Sequence, residues 1–78
     1  MPAESPTRLQ KHSVSIAGHR TSVTLEAAFW EALTALAAER DTTVAGLIAE
    51  IDDARADDPA APNLSSAIRV FVLRERQS

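Results

Sequence analysis

Few of the 78 residues carry side chains that do chemistry, and their spacing restricts what that chemistry can be. The two histidines, His12 and His19, stand seven residues apart in a chain without cysteine. A zinc site there would need further ligands from acids or a second chain, so both read as solvated histidines flanking a turn. Ser65-Ser66 has no paired base to activate a hydroxyl. Gly18 and Gly46 are the only glycines and cannot build a phosphate-cradling loop. Phe29-Trp30 reads as core, not as a cofactor box. No catalytic residue, metal or cofactor is expected, and the chain does not read as an enzyme.

Charge is the remaining chemistry, and it is unevenly distributed. The formal net charge is −3. Residues 5–25 nevertheless carry Arg8, Lys11 and Arg20 with no acid. Residues 26–58 carry nine acids against Arg40 and Arg55, and residues 59–78 carry Arg69, Arg74 and Arg76 against Glu75. The acidity of the whole chain weighs against a nucleic-acid partner, whereas the local sum makes residues 5–25 the place where an anion would bind.

The elements that position these charges follow from periodicity. Residues 1–10 hold two prolines and no period, which predicts a disordered N-terminal arm. Ser13-Val14-Ser15-Ile16 and Arg20-Thr21-Ser22-Val23-Thr24-Leu25 alternate polar with apolar and are rich in β-branched residues, as strands are. Val14 and Ile16 are even-numbered but Val23 and Leu25 odd, so the phase slips between them. Gly18 marks the slip, either as a bulge in one long strand or as a hairpin turn.

From Glu26 the period becomes helical. Phe29, Leu33, Leu36 and Ala37 form one stripe, widened by Trp30, in a helix over about 26–40. Asp41-Thr42-Thr43 connects it to a second helix over 44–56 with Val44, Leu47, Ile48 and Ile51 on one face, and Thr42 or Thr43 can cap it. Gly46 inside that helix costs stability; either another backbone approaches closely there or the glycine is simply tolerated. Residues 57–63 read as a linker with two prolines. Asn63 then caps a C-terminal helix over 64–78, in which Leu64, Ala67, Ile68, Phe71 and Val72 form a stripe. Val70 and Leu73 make that helix apolar nearly all round, so it is expected to be well buried on the core.

The low aromatic content, 4%, favours helices over a sandwich or barrel. Apolar stretches are far shorter than the ~20 residues that span a bilayer, so a cytoplasmic location without membrane contact is expected. A chain this short buries only about 60% of its unfolded surface, and oligomerisation is one way to complete such a core. A lone strand or hairpin also leaves open edges. Antiparallel pairing with the same strand of a second copy gives a closed homodimer. Val23 and Leu25 then face the helices, and Arg20, Ser22 and Thr24 face outward.

Thr21-Ser22-Val23-Thr24-Leu25, then Phe29, Leu33 and Ala37, then Thr42-Thr43 and Leu47-Ile48, resemble the ribbon-helix-helix proteins of the Arc, MetJ and CopG type. The resemblance covers about residues 20–54. Ile16-Ala17-Gly18-His19-Arg20-Thr21-Ser22 and Asn63-Leu64-Ser65-Ser66-Ala67-Ile68-Arg69-Val70 look like a bacterial subfamily with a C-terminal extension. The fold implied is mostly α with one short β-ribbon: an intertwined ribbon-helix-helix homodimer over 11–56, with an additional C-terminal helix.

The same resemblance implies a function. In such proteins a two-stranded ribbon enters the DNA major groove, and the outward strand residues, here Arg20, Ser22 and Thr24, are the base readers. Arginine can bond guanine N7 and O6 in bidentate fashion. The N-terminus of the second helix, here Thr42, Thr43 and Val44, would clamp a phosphate. Lys11 joins the backbone-contacting surface if the strand is one bulged run; if Val14–Ile16 folds back as a hairpin, the dimer has a four-stranded sheet, which is too wide for the groove. Val23, Leu25, Phe29, Trp30, Leu33, Leu47, Ile48, Ile51 and Phe71 form the core and dimer interface. The implied protein is a dimeric, sequence-specific transcriptional repressor. The alternative is an antitoxin-like module that holds a protein partner through its acidic helices or C-terminal helix.

Overall fold

The computed structural model describes residues 5–56 and 63–77. In chain order these form β1 (Leu9–Ile16), β2 (His19–Glu26), α1 (Ala27–Glu39), α2 (Val44–Ala56) and α3 (Leu64–Gln77). The architecture is mostly helical, with one two-stranded antiparallel ribbon.

Ala17 and Gly18 decide the ribbon. Both have positive φ, +50° and +83°. Two consecutive left-handed residues make the type I′ turn, whose twist matches that of the flanking strands. The phase slip is therefore a hairpin, and residues 13–25 do not run as one bulged strand. Ile16 lies opposite His19, Val14 opposite Thr21, His12 opposite Val23 and Gln10 opposite Leu25. Cross-strand partners share a face, so the even-numbered apolar residues of β1 and the odd-numbered ones of β2 meet on one side.

β1 begins at Leu9, inside the segment expected to be a disordered arm. Pairing of Leu9 and Gln10 with Glu26 and Leu25 draws them into the ribbon. Residues before them also make specific bonds. Ala27 N–H donates to the Arg8 carbonyl (2.8 Å) and Ala28 N–H to that of Pro6 (3.0 Å). These carbonyls satisfy two of the orphan amides at the start of α1, where Glu26 at the N-cap provides no side-chain bond. Residues 1–4 of the expected arm and 57–62 of the expected linker lie outside the described residues.

α1 ends in a Schellman motif. Asp41 takes the left-handed conformation (φ +55°). Thr42 N–H donates to the Ala37 carbonyl (3.0 Å) and Asp41 N–H to that of Ala38 (3.2 Å), the bond pair that closes such an end. Thr43 then caps α2: Gly46 N–H donates to its Oγ1 at 2.9 Å. What a side chain at Gly46 would crowd is local, two threonine hydroxyls, and not the backbone approach expected. A Cβ there would lie 2.6 Å from Thr42 Oγ1 and 3.2 Å from Thr43 Oγ1. Asn63 caps α3, with Ser66 N–H donating to its Oδ1 at 3.0 Å.

The core sits between the ribbon's inner face and the three helices. It comprises Ile16, Val23 and Leu25 from the ribbon, Trp30, Leu33, Leu36 and Ala37 from α1, Leu47, Ile48 and Ile51 from α2, and Ile68 and Val72 from α3. Trp30 is central in α1, while Phe29, assigned to the stripe by periodicity, is only half-buried at its margin. β1 causes this shift: Trp30 Nε1–H donates to the Gln10 carbonyl at 3.1 Å, and the His12 ring lies 4.1 Å from the indole.

α3 packs against α1, α2 and β2. Its Ile68 is fully buried and Val72 nearly so. It is less buried than its composition suggests. Val70 and Leu73 are 50% and 56% exposed, and Phe71 is half-buried under the Arg40 guanidinium (5.1 Å). A helix has one face toward a core on one side only, so the rest of an apolar surface stays in water. Three ion pairs tie α3 to the body: Arg69 with Glu26 (2.9 Å), Arg76 with Glu39 (3.4 Å) and Arg40 with Glu75. Pairs this exposed contribute about 0–1 kcal/mol each. Burying Ile68 or Val72 contributes about 1.5–3 kcal/mol, so apolar packing holds α3 and the ion pairs orient it.

Candidate nucleic-acid interface

The two-residue turn fixes which side chains share the ribbon's outer face. Ser15 stands opposite Arg20, Ser13 opposite Ser22, and Lys11 opposite Thr24. Lys11, Ser13, Ser15, Arg20 and Ser22 are exposed and Thr24 is half-buried. The face thus presents two cations and four hydroxyls. Ser13 and Ser15 were not singled out from the sequence, because their side depends on whether Gly18 turns the chain or bulges it. The signal was the parity slip: with a two-residue loop, odd positions of β1 face the same way as even positions of β2. Lys11 reaches this face through the hairpin itself.

The edge of β2 is also defined. In a two-residue hairpin the pair next to the turn, Ile16 with His19, is the mutually hydrogen-bonded one, and alternate pairs repeat it. The amides and carbonyls of Arg20, Ser22 and Thr24 therefore point away from β1. Among the described residues no other backbone hydrogen bond reaches them.

Electrostatics separate the ribbon from the helices. Arg40, Arg55, Arg69 and Arg76 are each ion-paired, with Glu75, Asp52, Glu26 and Glu39. Arg8, Lys11 and Arg20 enter no ion pair among the described residues. Glu26 shares the parity of Arg20, Ser22 and Thr24, but its carboxylate accepts bonds from Arg69 Nε (2.9 Å) and Nη2 (3.3 Å). Those bonds, then the Glu26 backbone N–H and the arginine's charge, hold its carboxyl below the ordinary value against an opposing desolvation. At the turn end, Glu50, Asp52 and Asp53 of α2 line an open groove with Ile16 and Ala17. Acids of α2 thus flank the ribbon's tip, beside which Arg20 sits in β2, while Lys11 lies toward its base.

Thr42, Thr43 and Val44 lie at the start of α2, whereas the α2 residues that line the groove beside Ile16 and Ala17, namely Ala49, Glu50, Asp52 and Asp53, come from its middle. The advance from Val44 to Asp52 is about 12 Å at 1.5 Å per residue. One chain therefore does not bring the expected phosphate clamp beside the ribbon tip. The Thr43 hydroxyl is engaged by Gly46 N–H, while no backbone bond from Val44 or Ala45 N–H occurs among the described residues.

Val23, Leu25, Trp30, Leu33, Leu47, Ile48 and Ile51 are buried, and Phe29 and Phe71 half-buried. His12 is exposed, with Nε2 3.4 Å from Gln10 Oε1. Among the described residues no three of His, Asp or Glu converge as metal ligands, and no helix is long and apolar enough to cross a membrane.

Residues 9–76 match the family model described as the ribbon-helix-helix domain. Among solved structures, an uncharacterized protein from Bordetella pertussis Tohama I is similar, with 34% identity and a TM-score of 0.78. The match covers 92% of this chain and 58% of that one, so the chain spans little more than half of that protein's length. No curated protein matches the chain.

Proposed function

Because the chain belongs to the ribbon-helix-helix domain family, whose members are typically DNA-binding regulators and generally not enzymes, we propose that it is a dimeric transcriptional repressor that reads duplex DNA with the outer face of its ribbon. One observation carries this reading: the cations of the helices named above are neutralised within the chain, while Lys11 and Arg20 stand without an ion pair among hydroxyls on one exposed β-face. A second copy completes the assembly by pairing along the open β2 edge, with Ser22 near the two-fold axis. Four strands then span about 14 Å between outer strand axes, at roughly 4.8 Å per step. The major groove is about 12 Å wide. The whole sheet is too wide for the groove, so in this reading only the central β2 pair enters it, with Arg20, Ser22 and Thr24, while the flanking β1 strands carry Lys11 to the phosphates. The α2 N-termini, with Thr42, Thr43 and Val44, provide further phosphate contacts.

The test is selection of bound duplexes from a random pool, followed by titration of variants on selected and random DNA at fixed salt. Arg20→Ala should cost about 1–3 kcal/mol on the selected site and much less on random DNA. Lys11→Ala should weaken both alike and flatten the salt dependence. Equal loss on both DNAs for Arg20→Ala would show a phosphate contact only. Sedimentation of a folded monomer at micromolar concentration would remove the dimer. A wild-type protein that binds no DNA at low salt overturns the repressor reading. The exposed Val70 and Leu73 on α3 favour a second reading in that event, an antitoxin-like module holding a protein partner.

A further inference from the structure

From the placement of the Glu26–Arg69 pair, we infer that α3 is a working part of the DNA-binding face: Arg69 neutralises the one acid that the outer side of β2 would otherwise turn toward the phosphates. This inference rests on the DNA-binding reading above and deepens it. Arg20, Ser22, Thr24 and Glu26 alternate along one strand and share its side. Glu26 stands two residues beyond Thr24, about 7 Å along the strand. A phosphate contacted beside Thr24 would then stand at a separation comparable to the screening length, about 8 Å at physiological salt, and a bare carboxylate at Glu26 would repel it. The N-cap position gives the Glu26 side chain no capping role, because it makes no capping bond. The amides of Ala27 and Ala28 are already taken by the Arg8 and Pro6 carbonyls.

Instead the carboxylate meets a guanidinium from a residue 43 positions away, at 2.9 and 3.3 Å through its two oxygens. Both side chains are about one-third exposed, so the pair contributes little to stability but sets the local charge that an approaching polyanion meets. A carboxyl is charged at neutral pH even at its ordinary value, and Arg69 lowers that of Glu26 further. Without Arg69 it would present a full negative charge there.

The experiment is a charge series on the full chain, titrated with duplex DNA selected by the wild type. The wild type and the double variant Glu26→Gln/Arg69→Gln leave this position neutral. Glu26→Gln leaves it positive, and Arg69→Gln leaves it negative. Affinity should follow charge: Glu26→Gln about 2–5-fold tighter, Arg69→Gln about 2–5-fold weaker, and the double variant within twofold of wild type, with all differences shrinking as salt rises. A pair that matters only for folding gives another pattern, in which both single variants weaken and the double does not recover; that result overturns the inference. No change in Arg69→Gln also overturns it. If the wild type itself binds no DNA, the DNA-binding reading has failed, and the inference falls with it.

Discussion

Replacing Gly18 with alanine isolates the energy of the hairpin turn. Gly18 has φ +83°, and a Cβ built there meets nothing within 4 Å. No clash contributes, so the whole cost is that of placing an L side chain in the left-handed region, about 1–2 kcal/mol. For a domain of this size each kcal/mol moves the melting temperature by roughly 4–8 °C, so Gly18→Ala should melt about 4–16 °C lower. The neighbouring position should respond with the opposite sign. Ala17 already bears this strain at φ +50°. Asparagine tolerates that conformation and precedes glycine in the commonest type I′ turns, so Ala17→Asn should gain about 0.5 kcal/mol. Far-ultraviolet circular dichroism melts at one fixed protein concentration suit the comparison, because self-association would make the midpoint depend on concentration. Destabilisation by Ala17→Asn, or an unchanged melt for Gly18→Ala, would refute the two-residue turn. It would also return residues 13–25 to a continuous strand.

Two further outcomes follow from packing and charge. Ile68→Ala empties a fully buried site on α3 and should cost about 2–5 kcal/mol. Leu73→Ala on the exposed side of the same helix should stay within about 0.5 kcal/mol in chemical denaturation. The Glu26 carboxyl is depressed in the folded state by Arg69, from an ordinary value of 4.5. Its contribution is therefore present above that pH and lost as pH falls through the folded value. Glu26→Gln should flatten the acid limb of melting temperature against pH, and an identical acid limb in both proteins would show that the pair does not persist in solution.

Local interactions made much of this protein legible in its sequence. A 3.6-residue period is an intrinsic property of a helix that buries one face. The spacings Leu33, Leu36, Ala37 and Val44, Leu47, Ile48, Ile51 therefore defined α1 and α2 without reference to any other element. Capping is equally local, since Thr43 and Asn63 satisfy amides three residues away. The alternation in residues 13–25 marked an outer face carrying Arg20, Ser22 and Thr24. Tertiary structure decided what depends on residues far apart in the chain. The parity slip at Gly18 was visible, but a bulge and a turn share it. The hairpin holds because its alternating apolar residues, Ile16 with Val23 and Leu25, all reach one core. That fold brings Ser13, Ser15 and Lys11 onto the outer face and places the Gln10 carbonyl where Trp30 can bond it, making Trp30 central and Phe29 marginal. The partner of Glu26 lay beyond sequence reasoning altogether. Charge pairing across 43 residues has no period, and it exists only because Ile68 and Val72 dock α3 where Arg69 meets the base of the ribbon.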